Sequence, residues 1–120
     1  MKWLVDTSVW IDHLDTTNLR LAGLLRDNAV LMHSAVIGEL ACGNLPNRRH
    51  FLEDISLLPR VREASFEEVL QAMDFLKLHG LGIGWVDAQL LVSSLLFAVP
   101  LWTLDRRLDR VARAIEKTRR

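Results

Sequence analysis

Cysteine is almost missing from this 120-residue chain. Cys42 stands alone, which excludes an intramolecular disulfide, and no CxxC or clustered Cys/His spacing offers a zinc site. Its expected role is a small buried hydrophobe in a reducing compartment. Long hydrophobic runs are missing too. The most apolar stretch, "AQLLVSSLLFAVPLW", is too short to cross a bilayer and carries Gln89, Ser93, Ser94 and Pro100, so no membrane association is expected. The opening "MKWLVDTS" reaches Asp6 before a signal-peptide core can form, and a cytoplasmic protein is expected. Net charge is also absent, 15 basic side chains balancing 15 acidic ones. The two signs are unevenly spread. Residues 106–120 hold seven basic and two acidic side chains, and residues 1–105 hold eight and thirteen. An acidic body with a basic tail excludes a uniform nucleic-acid-binding surface and leaves a local basic edge.

Half of the residues are hydrophobic, enough for one packed domain spanning 1–120, and no repeat, linker or low-complexity tract divides it. "KWLVD" (2–6), "AVLMHS" (29–34) and "VPLWTLD" (99–105) are continuous apolar runs, the pattern of parallel strands covered on both faces. Helical patterns separate them. Helices are expected over 8–15 and 18–27, from an N-cap at Ser34 to Gly43, over 49–57, over 86–97 and over 106–117. Another opens on the capping box Ser65–Glu68, with Phe66, Val69, Leu70, Met73 and Leu76 on one stripe, and closes at Gly80. A short strand is expected at 60–63. Strands alternating with helices predict an α/β fold, a three-layer α/β/α sandwich around a parallel sheet. "HGLGIGW" lacks the GxGxxG spacing and follows no clear strand, so it is not read as a phosphate loop.

Four carboxylates sit in unusual places. Asp6 and Asp105 each end an apolar strand, the edge where open α/β sheets carry their sites. Glu39 shares its helix face with Ala35, Val36, Cys42 and Gly43, where a carboxylate has no polar company, and a buried unpaired one would cost several kcal/mol. Asp87 opens the apolar helix directly after the glycine loop. Capping or a favourable dipole contact is the plain alternative for Asp6, Asp87 and Asp105. The drawn topology can nevertheless bring all four to one edge. Four clustered carboxylates repel unless a cation joins them. An oxygen-only set suits a hard ion, Mg²⁺ or Mn²⁺, which can activate water against a phosphodiester. Thr103 lies on the same side of its strand as Asp105.

"LVDTSVWID", "SAVIGELACG", "GWVDAQLLVSSLLF" and "VPLWTLDRRLDRVA", in this order and spacing, resemble a PIN-domain ribonuclease, most closely a VapC-type toxin of a bacterial toxin–antitoxin pair. The resemblance implies metal-dependent endonucleolytic cleavage of RNA with Asp6, Glu39, Asp87 and Asp105 around Mg²⁺ or Mn²⁺. It also implies a supporting hydroxyl from Thr7 or Ser8, a second from Thr103, a homodimer and a cognate antitoxin that covers the site. A PIN-like sheet of four to five short strands is expected. The family commonly adds a strand after the last helix, whereas "VARAIEKTRR" reads as helix, so either that strand is absent or the basic tail from about 117 is disordered. Arg106, Arg110 and Arg113 are candidate contacts to an RNA backbone, with a solvated helix face as the alternative. Asp109 is expected to pair with Arg106 or Arg113. Two other functions compete. One is a non-catalytic PIN-like interaction module. The other is a haloacid dehalogenase-type phosphatase, whose chemistry wants Asp-x-Asp where this chain has Ser8.

Overall fold

The computed structural model describes residues 1–118. It is an α/β fold in which strand β1 (Trp3–Val5) leads to helices α1 (Thr7–Asp15) and α2 (Leu19–Arg26), then β2 (Val30–Leu31). Helices α3 (Ser34–Ala41), α4 (Arg48–Ser56), α5 (Phe66–Phe75) and α6 (Trp85–Leu96) follow, and β3 (Leu101–Trp102) and α7 (Arg106–Thr118) complete the described chain. The sheet is parallel in the order β2-β1-β3, with Trp3 opposite Val30 and Val5 opposite Trp102. Leu4 and Val5 point to opposite faces of the central strand, and both are fully buried, so helices cover the sheet on each side.

Three strands form among the described residues, not four to five. The expected strand at 60–63 reduces to a single parallel bridge, Met32 with Arg60. Val61 N–H donates to Met32 and is buried there, but its neighbours Arg60 and Arg62 stay in water, so no ladder extends. The last helix runs through Thr118, past the point where a disordered tail was expected to begin, and residues 119–120 lie outside the described chain.

Helix ends show where local chemistry differs from expectation. His33, not Ser34, caps α3, its Nδ1 accepting from Ala35 N–H at 2.9 Å. The Ser65–Glu68 capping box forms as expected. Helix α5 stops at Phe75 rather than near Gly80, because Leu78 N–H turns back to Met73 and Lys77 N–H to Asp74 around Lys77 at φ 55°. Leu78 is thereby buried. Phe66 and Leu70, expected on the inward stripe, are exposed, and so is Cys42.

The strand order fixes where a site belongs. The chain leaves β1 to one side for β2 and later adds β3 on the other, so the crevice outside the carboxyl ends of β1 and β3 is a topological switch point. Asp6 and Thr103 are the residues that follow those strands.

Candidate active site

Asp6 is 4% exposed and could have capped α1, yet its side chain makes no capping bond. Its backbone N–H completes the β1–β3 pairing at Trp102, and its Oδ2 takes two short hydroxyl bonds, from Ser8 Oγ and Thr103 Oγ1, each 2.7 Å. Each hydroxyl also accepts from the backbone beyond β3: Ser8 Oγ from Leu104 N–H, Thr103 Oγ1 from Asp105 N–H. The two hydroxyls therefore tie the ends of both strands to one buried carboxylate. Because an ionised acceptor strengthens such bonds, this is a rigid support.

Glu39 corrects the picture of a buried, lonely acid. Its side chain is exposed, and Thr7 Oγ1 donates to its Oε1 at 2.6 Å. Thr7 follows Asp6 directly, so the second acid is fastened next to the first. Thr7 supports Glu39 while Ser8 supports Asp6, a division of labour between adjacent hydroxyls that the sequence left open. Asp87 lies in the first turn of α6 and its Oδ2 accepts from Gly84 N–H at 3.1 Å. Burial pushes its carboxyl pKa up, the Gly84 bond opposes this, and the charges of Asp6, Asp105 and Glu39 push it up further. Asp87 thus feels the charge of each of the other three acids. Asp105 is exposed and caps α7, its Oδ1 accepting from Arg107 and Leu108 N–H at 2.9 and 3.1 Å. Its plain alternative is thus real.

One pattern joins the four. Each carboxylate is anchored through a single oxygen, and among the described residues the other oxygen has no protein partner. No described Lys or Arg forms an ion pair with any of them. No three described His, Cys, Asp or Glu side chains converge closely enough to hold an ion unaided. An oxygen-only donor set of this kind fits a hard divalent cation, which keeps several of its own waters and needs only one or two carboxylates directly.

The basic residues divide. Arg113 pairs with Asp109 at 2.8 Å, as expected for an i,i+4 pair, while Arg106 and Arg110 are exposed. The sequence reading overlooked Arg107, whose Nη1 donates to Gly82 O at 3.3 Å and so joins the start of α7 to the glycine loop before Asp87. The signal lay in plain view in "DRR", but nothing in the pattern distinguishes which arginine turns back. His33 was likewise unremarkable in sequence and proves to be a buried cap with its pKa lowered, mainly by desolvation.

Among the described residues no helix is long and apolar enough to cross a membrane. Two relatives, each named Ribonuclease VapC32, come from Mycobacterium tuberculosis strains CDC 1551 / Oshkosh and ATCC 25618 / H37Rv. Each is 42% identical over 106 residues, covering 88% of this chain and 86% of the relative. The PIN-domain family model matches residues 3–114, which take in all four acids, both strand ends and the hydroxyl clamp between them, and the chain belongs to the PIN-domain family.

Proposed function

We propose that this protein is a metal-dependent endoribonuclease, the toxin of a bacterial toxin–antitoxin pair that cleaves RNA and so inhibits translation and growth in the cytoplasm. The observation that carries the reading is the set of four half-anchored carboxylates at the switch point, each with one oxygen unclaimed by protein. The similarity to ribonucleases over most of the chain supports the same activity.

Asp6 and Asp87 are the principal ligands in this reading, and Glu39 and Asp105 complete the site and orient the attacking water. When bound, Mg²⁺ or Mn²⁺ neutralises charge on the scissile phosphodiester and makes water a stronger nucleophile. The chain's own part is positional. Ser8 and Thr103 hold the Asp6 carboxylate against rotation, Thr7 holds Glu39, and the Gly84 N–H holds Asp87. Arg106, Arg110 and Arg113 offer backbone contacts along α7. A homodimer and a cognate antitoxin covering the acids belong to the same proposal.

The phosphatase alternative loses ground, because Ser8 already occupies the second position as a hydroxyl donor to Asp6. The interaction-module alternative draws on the lack, among the described residues, of a preformed three-ligand cluster. Labelled structured RNAs separate it from the enzyme. Purified protein in Mg²⁺ or Mn²⁺ is expected to give discrete cuts that excess chelator, Asp6→Asn and Asp87→Asn each abolish. Intact RNA throughout, together with no thermal stabilisation by either ion, would leave the interaction module standing.

A further inference from the structure

The loop at 79–84, which leads into α6, has little of its own to hold it. Gly80 and Gly82 sit at φ 74° and 79°, Leu81 is exposed, and Ile83 packs partly against the core. Gly84 belongs to the first turn of α6 through Asp87 and Ala88. Among the described residues, the hydrogen bond that ties this loop to a distant element comes from Arg107 Nη1, at the start of α7, to Gly82 O at 3.3 Å.

The guanidinium is seated there. A Cβ at position 82 would come within 2.7 Å of Arg107 Nη1 and 2.8 Å of its Cδ, so the arginine fills the space a side chain would need. Glycine is required twice at this position, by the positive φ and by the close approach. Arg107 also makes a main-chain contact, its N–H donating to Asp105 Oδ1 at 2.9 Å. Two residues beyond Gly82, Gly84 N–H holds Asp87 Oδ2. One residue therefore touches Asp105 directly and, through its side chain, the loop that orients Asp87. Leu91 and Leu108 share one core cluster that fixes the bodies of α6 and α7, and the arginine joins their starts.

We propose that Arg107, seated on Gly82, is a positioning residue for the metal centre, setting Asp87 relative to Asp105 so that both can serve one divalent ion. The inference rests on the metal-dependent ribonuclease reading and deepens it. A hard ion tolerates little misplacement of its oxygen ligands, Mg²⁺ least of all. Loss of a group that orients a ligand commonly weakens metal binding by about ten- to a hundred-fold. The sign of the effect separates position from charge. A cation that merely lay beside the acids would repel a divalent ion, and its removal would tighten binding. Removal of a positioning group loosens it.

The test is a titration of the full chain with Mn²⁺, the free ion read by electron paramagnetic resonance, run beside RNA cleavage. Asp87→Asn should lose the binding, which identifies the site. Arg107→Ala is expected to raise the Mn²⁺ Kd about ten-fold, and Arg107→Lys, which keeps a donor for Gly82 O, to recover part of the loss. Gly82→Ala should weaken binding in the parent and add little in Arg107→Ala, because both changes break one contact. In chelator, amide exchange across 79–88 should quicken in Arg107→Ala and stay unchanged over α3. A Kd that is unchanged or tighter in Arg107→Ala overturns the proposal, and so does unchanged exchange across the loop. A raised KM for RNA with the Mn²⁺ Kd unmoved makes Arg107 a phosphate contact, and the proposal fails. Weakened Mn²⁺ binding in Arg107→Ala, with a parent that cuts no RNA, upholds the positioning role and removes the nuclease. A parent that binds no Mn²⁺ removes both.

Discussion

Replacing Thr103 by Val keeps the shape of a 9% exposed side chain and removes one of two hydroxyls that hold Asp6. A hydrogen bond to a buried carboxylate contributes about 1.5–3 kcal/mol, and the bond accepted from Asp105 N–H adds rather less because that residue is reached by water. The expected loss is about 2–3 kcal/mol, or a fall in Tm of roughly 8–12 °C for a domain of this size. Packing alone could produce such a loss, so the informative experiment is a cycle. In an Asp6→Asn background the same hydroxyl meets a neutral amide oxygen, a bond worth about half as much. Thr103→Val should then cost about 1 kcal/mol less than in the parent, a coupling well above the additivity error for distant sites. Chemical unfolding of the four proteins in excess chelator measures it. An equal cost in both backgrounds would refute the claim that Thr103 acts through the Asp6 charge. The hydroxyl would then be a packing residue, and the clamp would have no part in positioning the acid.

Asp87→Asn is expected to abolish cleavage and yet to stabilise the metal-free protein. Its folded carboxyl pKa is raised, so the native state binds more protons than the unfolded one between the ordinary carboxylate pKa and the raised value. Parent stability therefore falls as pH rises through that interval, and the advantage of Asn should be present above it and absent below it, as Tm against pH in chelator will read. Added Mg²⁺ should stabilise the parent and leave the variant unmoved. His33 runs the other way: burial lowers its pKa, so the unfolded chain takes up the proton first and stability is lost as pH falls below about 6.5. In His33→Asn, where an Asn can still cap α3, that part of the pH slope should disappear. Ala98, at φ 54° where α6 turns back through Val99 N–H to Ser94 O, carries a left-handed strain that Gly does not feel. Ala98→Gly should raise stability by about 0.5–1 kcal/mol in denaturant unfolding, and any loss would mean its methyl packs more than its backbone strains.

The sequence made the architecture readable wherever hydrophobic pattern alone decides it. Apolar runs flanked by helical periodicity located all three strands, and Asp6 and Asp105 marked the edge because acids interrupt those runs. What pattern could not supply was anything set by a single tertiary contact. The segment 60–63 has the composition of a strand, but only Val61 found a place beside Met32. Gly80 looked like the end of α5, yet the burial of Leu78 pulled the stop forward and forced Lys77 into the conformation expected of a glycine. Glu39 was singled out for a sound reason, its apolar helix neighbours, and the inference of burial still failed. Thr7, 32 positions away, supplied the polar partner that no local window contains.

An acid at the end of a strand can cap the next helix or serve a site, and the two strand-end acids show that these are separate questions. The Asp105 side chain caps α7 and the Asp6 side chain makes no capping bond to α1, although each acid stands between an apolar strand and the helix that follows it. Capping consumes only Oδ1 of Asp105, so it orients the carboxylate without using it up. Gly84 N–H does the same to Asp87, and Thr7 to Glu39. Asp6 lacks a backbone donor of this kind, and two hydroxyls take its place. The four acids thus share one device, reached by four local routes, and the device has a cost. Carboxylates held near one another without basic partners raise the free energy of the fold; for Asp87 burial is the larger cause of the upward shift, and the charges of Asp6, Asp105 and Glu39 add to it. On the proposed metal-dependent reading, a cation bound there would relieve a repulsion that no described Lys or Arg relieves through an ion pair.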